Sequence, residues 1–95
     1  MGKNNEYLEI SKQIVACIGG MENIQGTAHC ATRLRIVLQD NSLANIEKLE
    51  EIHKVKGAFI AGNQLQLIFG AGVVNDVYDV FAEYTHTQNM SLGDL

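Results

Sequence analysis

Between Arg33 and Leu38 the chain reads Arg, Leu, Arg, Ile, Val, Leu, a period of two that an extended strand with one buried face satisfies and a helix does not. Leu34, Ile36 and Leu38 fall on one side, Arg33, Arg35 and Val37 on the other, so both guanidiniums project together. Just upstream, Gly26-Thr27-Ala28-His29-Cys30 reads as a short preceding strand. Cys30 then stands at a strand end and Ala31-Thr32 in the turn, where unpaired backbone N–H groups form a small anion nest.

The remaining elements follow from spacing. Tyr7, Ile10, Ile14, Cys17 and Ile18 recur at helical intervals within Glu6 to Ile18, and Gly19-Gly20 stop that helix. Met21 to Gln25 reads as a loop before the first strand. Asp40-Asn41-Ser42 is turn chemistry, and Asn45 caps a second helix with Ile46, Leu49 and Ile52 inward and Glu47, Glu50 and Glu51 in solvent. Gly62-Asn63 joins Ala58-Phe59-Ile60 to Leu65-Gln66-Leu67-Ile68-Phe69 as a hairpin, because a two-residue Gly-Asn loop suits the primed turns. Val74, Val77, Phe81 and Tyr84 mark a last helix over Val73 to Tyr84. The expected fold is α+β, in the order α-β-β-α-β-β-α: a four-stranded antiparallel sheet with three helices on one face.

Cysteine attacks as thiolate, and nearby positive charge lowers its pKa. Arg33 and Arg35 supply that charge, are shaped to hold phosphate oxygens bidentately, and have the Thr32 hydroxyl beside them. Alone, Cys30 reads better as a buried structural thiol. The two arginines and the turn shift the reading, since burying that much charge for packing is costly. His29 and Cys30 face opposite ways on a regular strand, which disfavours a Cys-His dyad. Cys17 belongs to a helix stripe and reads as a small core hydrophobe. His29, His53 and His86 match no zinc spacing with the cysteines. Gly70-Ala71-Gly72 reads as a tight turn rather than a phosphate loop, having no following Lys-Ser/Thr, and Lys56-Gly57 reads likewise as a turn.

The run His29-Cys30-Ala31-Thr32-Arg33-Leu34-Arg35, with Val55-Lys56-Gly57 and Gly70-Ala71-Gly72-Val73-Val74-Asn75-Asp76-Val77-Tyr78 downstream, resembles the EIIB domain of the bacterial sugar phosphotransferase system. The type is that of the glucose superfamily, nearest to its sucrose, trehalose and β-glucoside members, and the likeness runs from Ile10 to Tyr84. It implies a phosphocysteine at Cys30, loaded from a phosphohistidine of an EIIA domain and discharged onto a sugar held by a membrane EIIC domain. That is the work of a protein-Nπ-phosphohistidine–sugar phosphotransferase. The backbone N–H groups of Ala31, Thr32 and Arg33 and the Thr32 hydroxyl would cradle the phosphoryl oxygens, with Arg33 and Arg35 offsetting charge. The resemblance implies no metal and no cofactor. The domain is taken as residues 1–84; Thr85 to Leu95 loses helical periodicity and carries Gln88, Asn89, Ser91 and Gly93, and reads as the start of a linker toward EIIC or as a frayed terminus. The resemblance places the domain at the cytoplasmic face of the bacterial membrane.

A net charge of −4 over 95 residues argues against a nucleic-acid binder that works by neutralising phosphates. The arginine pair is a local positive site on an acidic body. Two cysteines without a secretory signal read as reduced and the compartment as cytosolic. No run approaches the roughly 20 apolar residues of a membrane span, so the domain itself is expected to be soluble. A regulatory or sensor module of the same family remains open, though an idle domain would be expected to lose Cys30 or an arginine. Redox work would ask for a resolving cysteine, which Cys17 does not provide. A cysteine phosphatase would carry Cys-x5-Arg, whereas Arg35 stands one residue closer. A small-ligand binding protein is the remaining alternative.

Overall fold

The computed structural model describes residues 2–87. Helix α1 covers Gly2–Cys17, strands β1 and β2 cover Ile24–His29 and Arg33–Leu38, and helix α2 covers Ile46–Glu50. Strands β3 and β4 cover Gly57–Ala61 and Gln64–Ile68, and helix α3 covers Val73–Thr85. The four strands form one antiparallel sheet in the order β1-β2-β4-β3. This is the expected α+β architecture.

The core lies between one sheet face and the helices. Leu34 pairs with Leu67 and Ile36 with Leu65, and all four are fully buried. Against them α1 sets Tyr7, Ile10 and Ile14, with Ile18 just past its end, and α3 sets Val74, Val77 and Phe81, in one continuous cluster. These are the i, i+3, i+4, i+7 stripes of amphipathic helices. After α1 the chain reverses through Gly19 and Gly20, both with φ near +90°. A Cβ on Gly19 would stand 2.9 Å from the Leu43 side chain, so glycine is required there by both dihedral and space.

Several boundaries differ from those read in the sequence. Helix α1 begins at Gly2 rather than Glu6, a polar opening turn that hydrophobic spacing cannot register. The stretch Met21 to Gln25 is not a loop: Met21–Asn23 is a 3-10 turn and β1 starts at Ile24, which pairs with Leu38 across a bulge at Gln25. Asn23 makes this possible. Its buried side chain donates to the carbonyls of Ile18 (2.8 Å) and Asp40 (2.9 Å) and accepts from the Asp40 N–H (2.8 Å), fastening the end of α1 to the exit of β2. Helix α2 ends at Glu50, although Leu49 and Ile52 are buried as expected. Val37 shares the arginines' face yet is also buried, and Cys17 is half-buried at the surface of the core rather than inside it.

At the far end α3 continues to Thr85 and closes on His86 in the left-handed region. Thr87 is buried, with its hydroxyl bonded to those of Thr27 (2.8 Å) and Thr85 (2.9 Å). The fold therefore reaches Thr87, and the rest of the expected linker, residues 88–95, lies outside the described residues. Among the described residues no helix is long and apolar enough to cross a membrane.

Candidate phosphoryl-carrier site

Strand β1 ends at His29 and β2 begins at Arg33, leaving Cys30-Ala31-Thr32 as the connection. The Cys30 N–H donates to the Arg33 carbonyl at 3.0 Å and closes the turn. The Thr32 carbonyl accepts two bonds from the end of the neighbouring strand β4, from the N–H groups of Phe69 (2.9 Å) and Gly70 (3.1 Å). The loop is thus held at its base by the β4–α3 junction, and its own amides are left facing the thiol.

Those amides set the chemistry of the sulfur. Burial is the largest single influence on Cys30 and pushes its thiol up. The backbone N–H groups of Thr32 and Arg33, the charge of Arg35 and a hydrogen bond from the Arg35 side chain act the other way, and together they leave the thiol below its ordinary value. Donors and positive charge favour the thiolate. The guanidinium of Arg35 also keeps its Nε–H buried without a hydrogen-bond partner among the described residues.

The two arginines share a face but not a task. Arg33 Nη1 donates to Gln66 Oε1 at 3.0 Å, and its guanidinium lies 5.1 Å from the centre of the Phe59 ring. Its backbone N–H serves the sulfur while its side chain is held along the open sheet face. Of the expected site residues, Cys30, the Thr32 and Arg33 amides and the Arg35 side chain converge. Ala31 is exposed at the tip of the loop and Thr32 is half-buried.

His29 occupies the helix side of the sheet, opposite the sulfur. Its ring tilts against Tyr78 of α3 at 4.6 Å, and Nδ1 lies 3.3 Å from the Cys30 carbonyl, so it is not placed as a base for the thiol. Sequence reasoning missed Gln66, Phe59 and Tyr78 as site neighbours. The alternation of Gln64 and Gln66 with Leu65 and Leu67 was a signal for the first of these, since it puts both amides on the arginines' face.

Residues 12–45 match the family model described as phosphotransferase system, EIIB. The chain is 47% identical over 78 residues to the sucrose-specific EIIBC component of the phosphotransferase system of Bacillus subtilis (strain 168), covering 82% of this chain and 17% of that protein. It is 41% identical over 86 residues to the β-glucoside-specific EIIBCA component of the same organism, covering 90% of this chain and 14% of that one. The chain spans about a sixth of the length of these relatives. A crystal structure of one domain of the phosphotransferase system IIabc component from Clostridium difficile superposes with a TM-score of 0.80 at 38% identity, covering 86% of this chain and 85% of that one.

Proposed function

The chain belongs to the EIIB family of the phosphotransferase system, and from that premise we propose that it is a phosphoryl carrier in which Cys30 takes phosphate from an EIIA domain and passes it to a sugar held by a membrane EIIC domain. The observation that carries this reading is the thiol itself: Cys30 is held below its ordinary pKa by two backbone N–H groups and Arg35. The names of the relatives support the partners, because EIIB there is part of EIIBC and EIIBCA proteins. They also favour a disaccharide or β-glucoside as the sugar class. The chain beyond Thr87 then leads toward the EIIC domain, and the carrier works at the cytoplasmic face of the membrane.

The reaction is two in-line displacements. In the first, the Cys30 thiolate attacks phosphorus of a phosphohistidine; an S–P bond forms, the P–N bond breaks, and the electron pair stays on the imidazole nitrogen. In the second, a sugar hydroxyl attacks the same phosphorus. An O–P bond forms, the S–P bond breaks, the thiolate leaves, and the hydroxyl proton passes to a base outside this domain. Neither step needs a general base at Cys30, in keeping with His29 turned away toward Tyr78. The Thr32 and Arg33 amides and the Arg35 guanidinium serve as preorganised donors for charge on the transferring oxygens.

Incubation with phosphoenolpyruvate, the general phosphotransferase proteins and an EIIA domain, followed by intact-mass measurement, tests the reading. One added phosphate that maps to Cys30 and disappears in Cys30→Ser is expected. An unlabelled protein beside fully phosphorylated EIIA would refute the carrier role.

A further inference from the structure

Lys56 stands immediately before β3, where its backbone N–H donates to the Ile68 carbonyl at 2.7 Å. Its side chain lies across the β4–α3 junction: a Cβ built on Gly70 would meet Lys56 Nζ at 3.6 Å and Cε at 3.9 Å. Gly70 is the residue whose N–H holds the Thr32 carbonyl at 3.1 Å. The ammonium therefore lies beside the glycine that holds the base of the loop carrying Cys30.

The surroundings leave this charge uncommitted. Lys12 and Lys54 lie within ion-pair distance of Glu9 and Glu6. Among the described residues Arg33, Arg35, Lys48 and Lys56 stand within ion-pair distance of no carboxylate, and of these Lys56 is the lysine beside the β4–α3 junction, on a chain whose net charge is −4. A phosphoryl group brings a charge of about −1.5 to −2. Only Arg35 reaches the sulfur with its guanidinium, since Arg33 is engaged by Gln66 and Phe59, so one cation at the thiol faces nearly two negative charges.

We propose that Lys56 is a further phosphate-binding cation of the Cys30 site, closing on the phosphoryl oxygens from the β4–α3 side while Arg35 reaches them along β2. The inference rests on the phosphocysteine reading. A lysine suits the position because it is a mobile point charge on a flexible stem, able to hold the phosphoryl group between partners and release it when one of them approaches.

The test has two arms, both in a Cys17→Ser background so that Cys30 is the sole thiol. The first uses no phosphotransferase protein and compares the rate of Cys30 with a dicarboxylate aromatic disulfide to its rate with a neutral dipyridyl disulfide. Lys56→Met is expected to lower the anionic-to-neutral ratio about 5-fold at low ionic strength, Lys56→Arg to retain it, and salt to erase the difference. The second arm measures Cys30 phosphorylation by EIIA, where Lys56→Met is expected to lower kcat/KM about 10-fold and Lys56→Arg to restore most of it. A ratio unchanged in Lys56→Met overturns the role of Lys56 and leaves the carrier reading standing. Wild-type protein that EIIA does not phosphorylate overturns the carrier reading and this proposal with it.

Discussion

The thiolate of Cys30 is favoured by neighbours of two kinds, and they can be separated. The Thr32 and Arg33 amides belong to the turn and survive most side-chain changes, whereas Arg35 acts through its guanidinium. Arg35→Ala is therefore expected to move the midpoint of Cys30 alkylation with pH upward, toward an ordinary thiol. Arg33→Ala is expected to leave that midpoint near wild type, because its guanidinium sits on Gln66 and Phe59. Equal shifts in the two variants would contradict this division. The sign of the linkage follows from the lowered value. The contacts that favour the thiolate stabilise the folded state above the unfolded thiol's pKa, and the gain is lost as pH falls through the folded one. The thiol, its turn and the shared face of both arginines were legible in seven consecutive residues. The separate duties of Arg33 and Arg35 were not, because they depend on the pairing of β2 with β4 and of β4 with β3, which bring Gln66 and Phe59 onto the same face from more than twenty residues away.

The elements meet at short polar junctions that hydrophobic periodicity could not reveal. Asn23 is one: its amide bonds to Ile18 and to both backbone groups of Asp40, so Asn23→Ala leaves several groups without partners. A loss of about 2–3 kcal/mol in urea unfolding is expected, and a loss below about 0.5 kcal/mol would mean water replaces the amide. Asp40 is another. Its carboxylate accepts from the Ser42 hydroxyl (2.6 Å) and the Ser42 N–H (3.0 Å), and the side-chain bond first, then the backbone bond, holds its pKa below the usual carboxylate value. The stability this provides is present above the unfolded carboxyl pKa, about 3.9, and is lost as pH falls through the lowered folded value. The stability gap between wild type and Asp40→Ala should therefore be largest near neutrality and close in acid, as thermal melts across that range would read. The beginning of β1 escaped the sequence reading because Ile24 pairs only across the bulge at Gln25, whereas the Gly62-Asn63 hairpin was legible because a local turn dictates it.

Taken whole, the molecule divides its labour between the two faces of one sheet. The covered face stabilises: Phe81 is fully buried in the common cluster of sheet and helices, and Phe81→Ala is expected to cost about 3–5 kcal/mol in denaturant unfolding. The open face carries Arg33, Phe59 and Gln66, with the thiol at its end. The double hydrogen bond from Phe69 and Gly70 to the Thr32 carbonyl joins the loop to the stable half, so in the proposed carrier the amide cradle precedes the phosphate and need not be organised during transfer. That preformed cradle is tested most directly by the amide NMR spectrum of the domain before and after phosphorylation by EIIA. Large downfield shifts confined to Thr32, Arg33 and their immediate neighbours, with the amides of α1 and α3 unmoved, are the expected result. Unshifted Thr32 and Arg33 amides, or shifts spread through the helices, would contradict a cradle already in place.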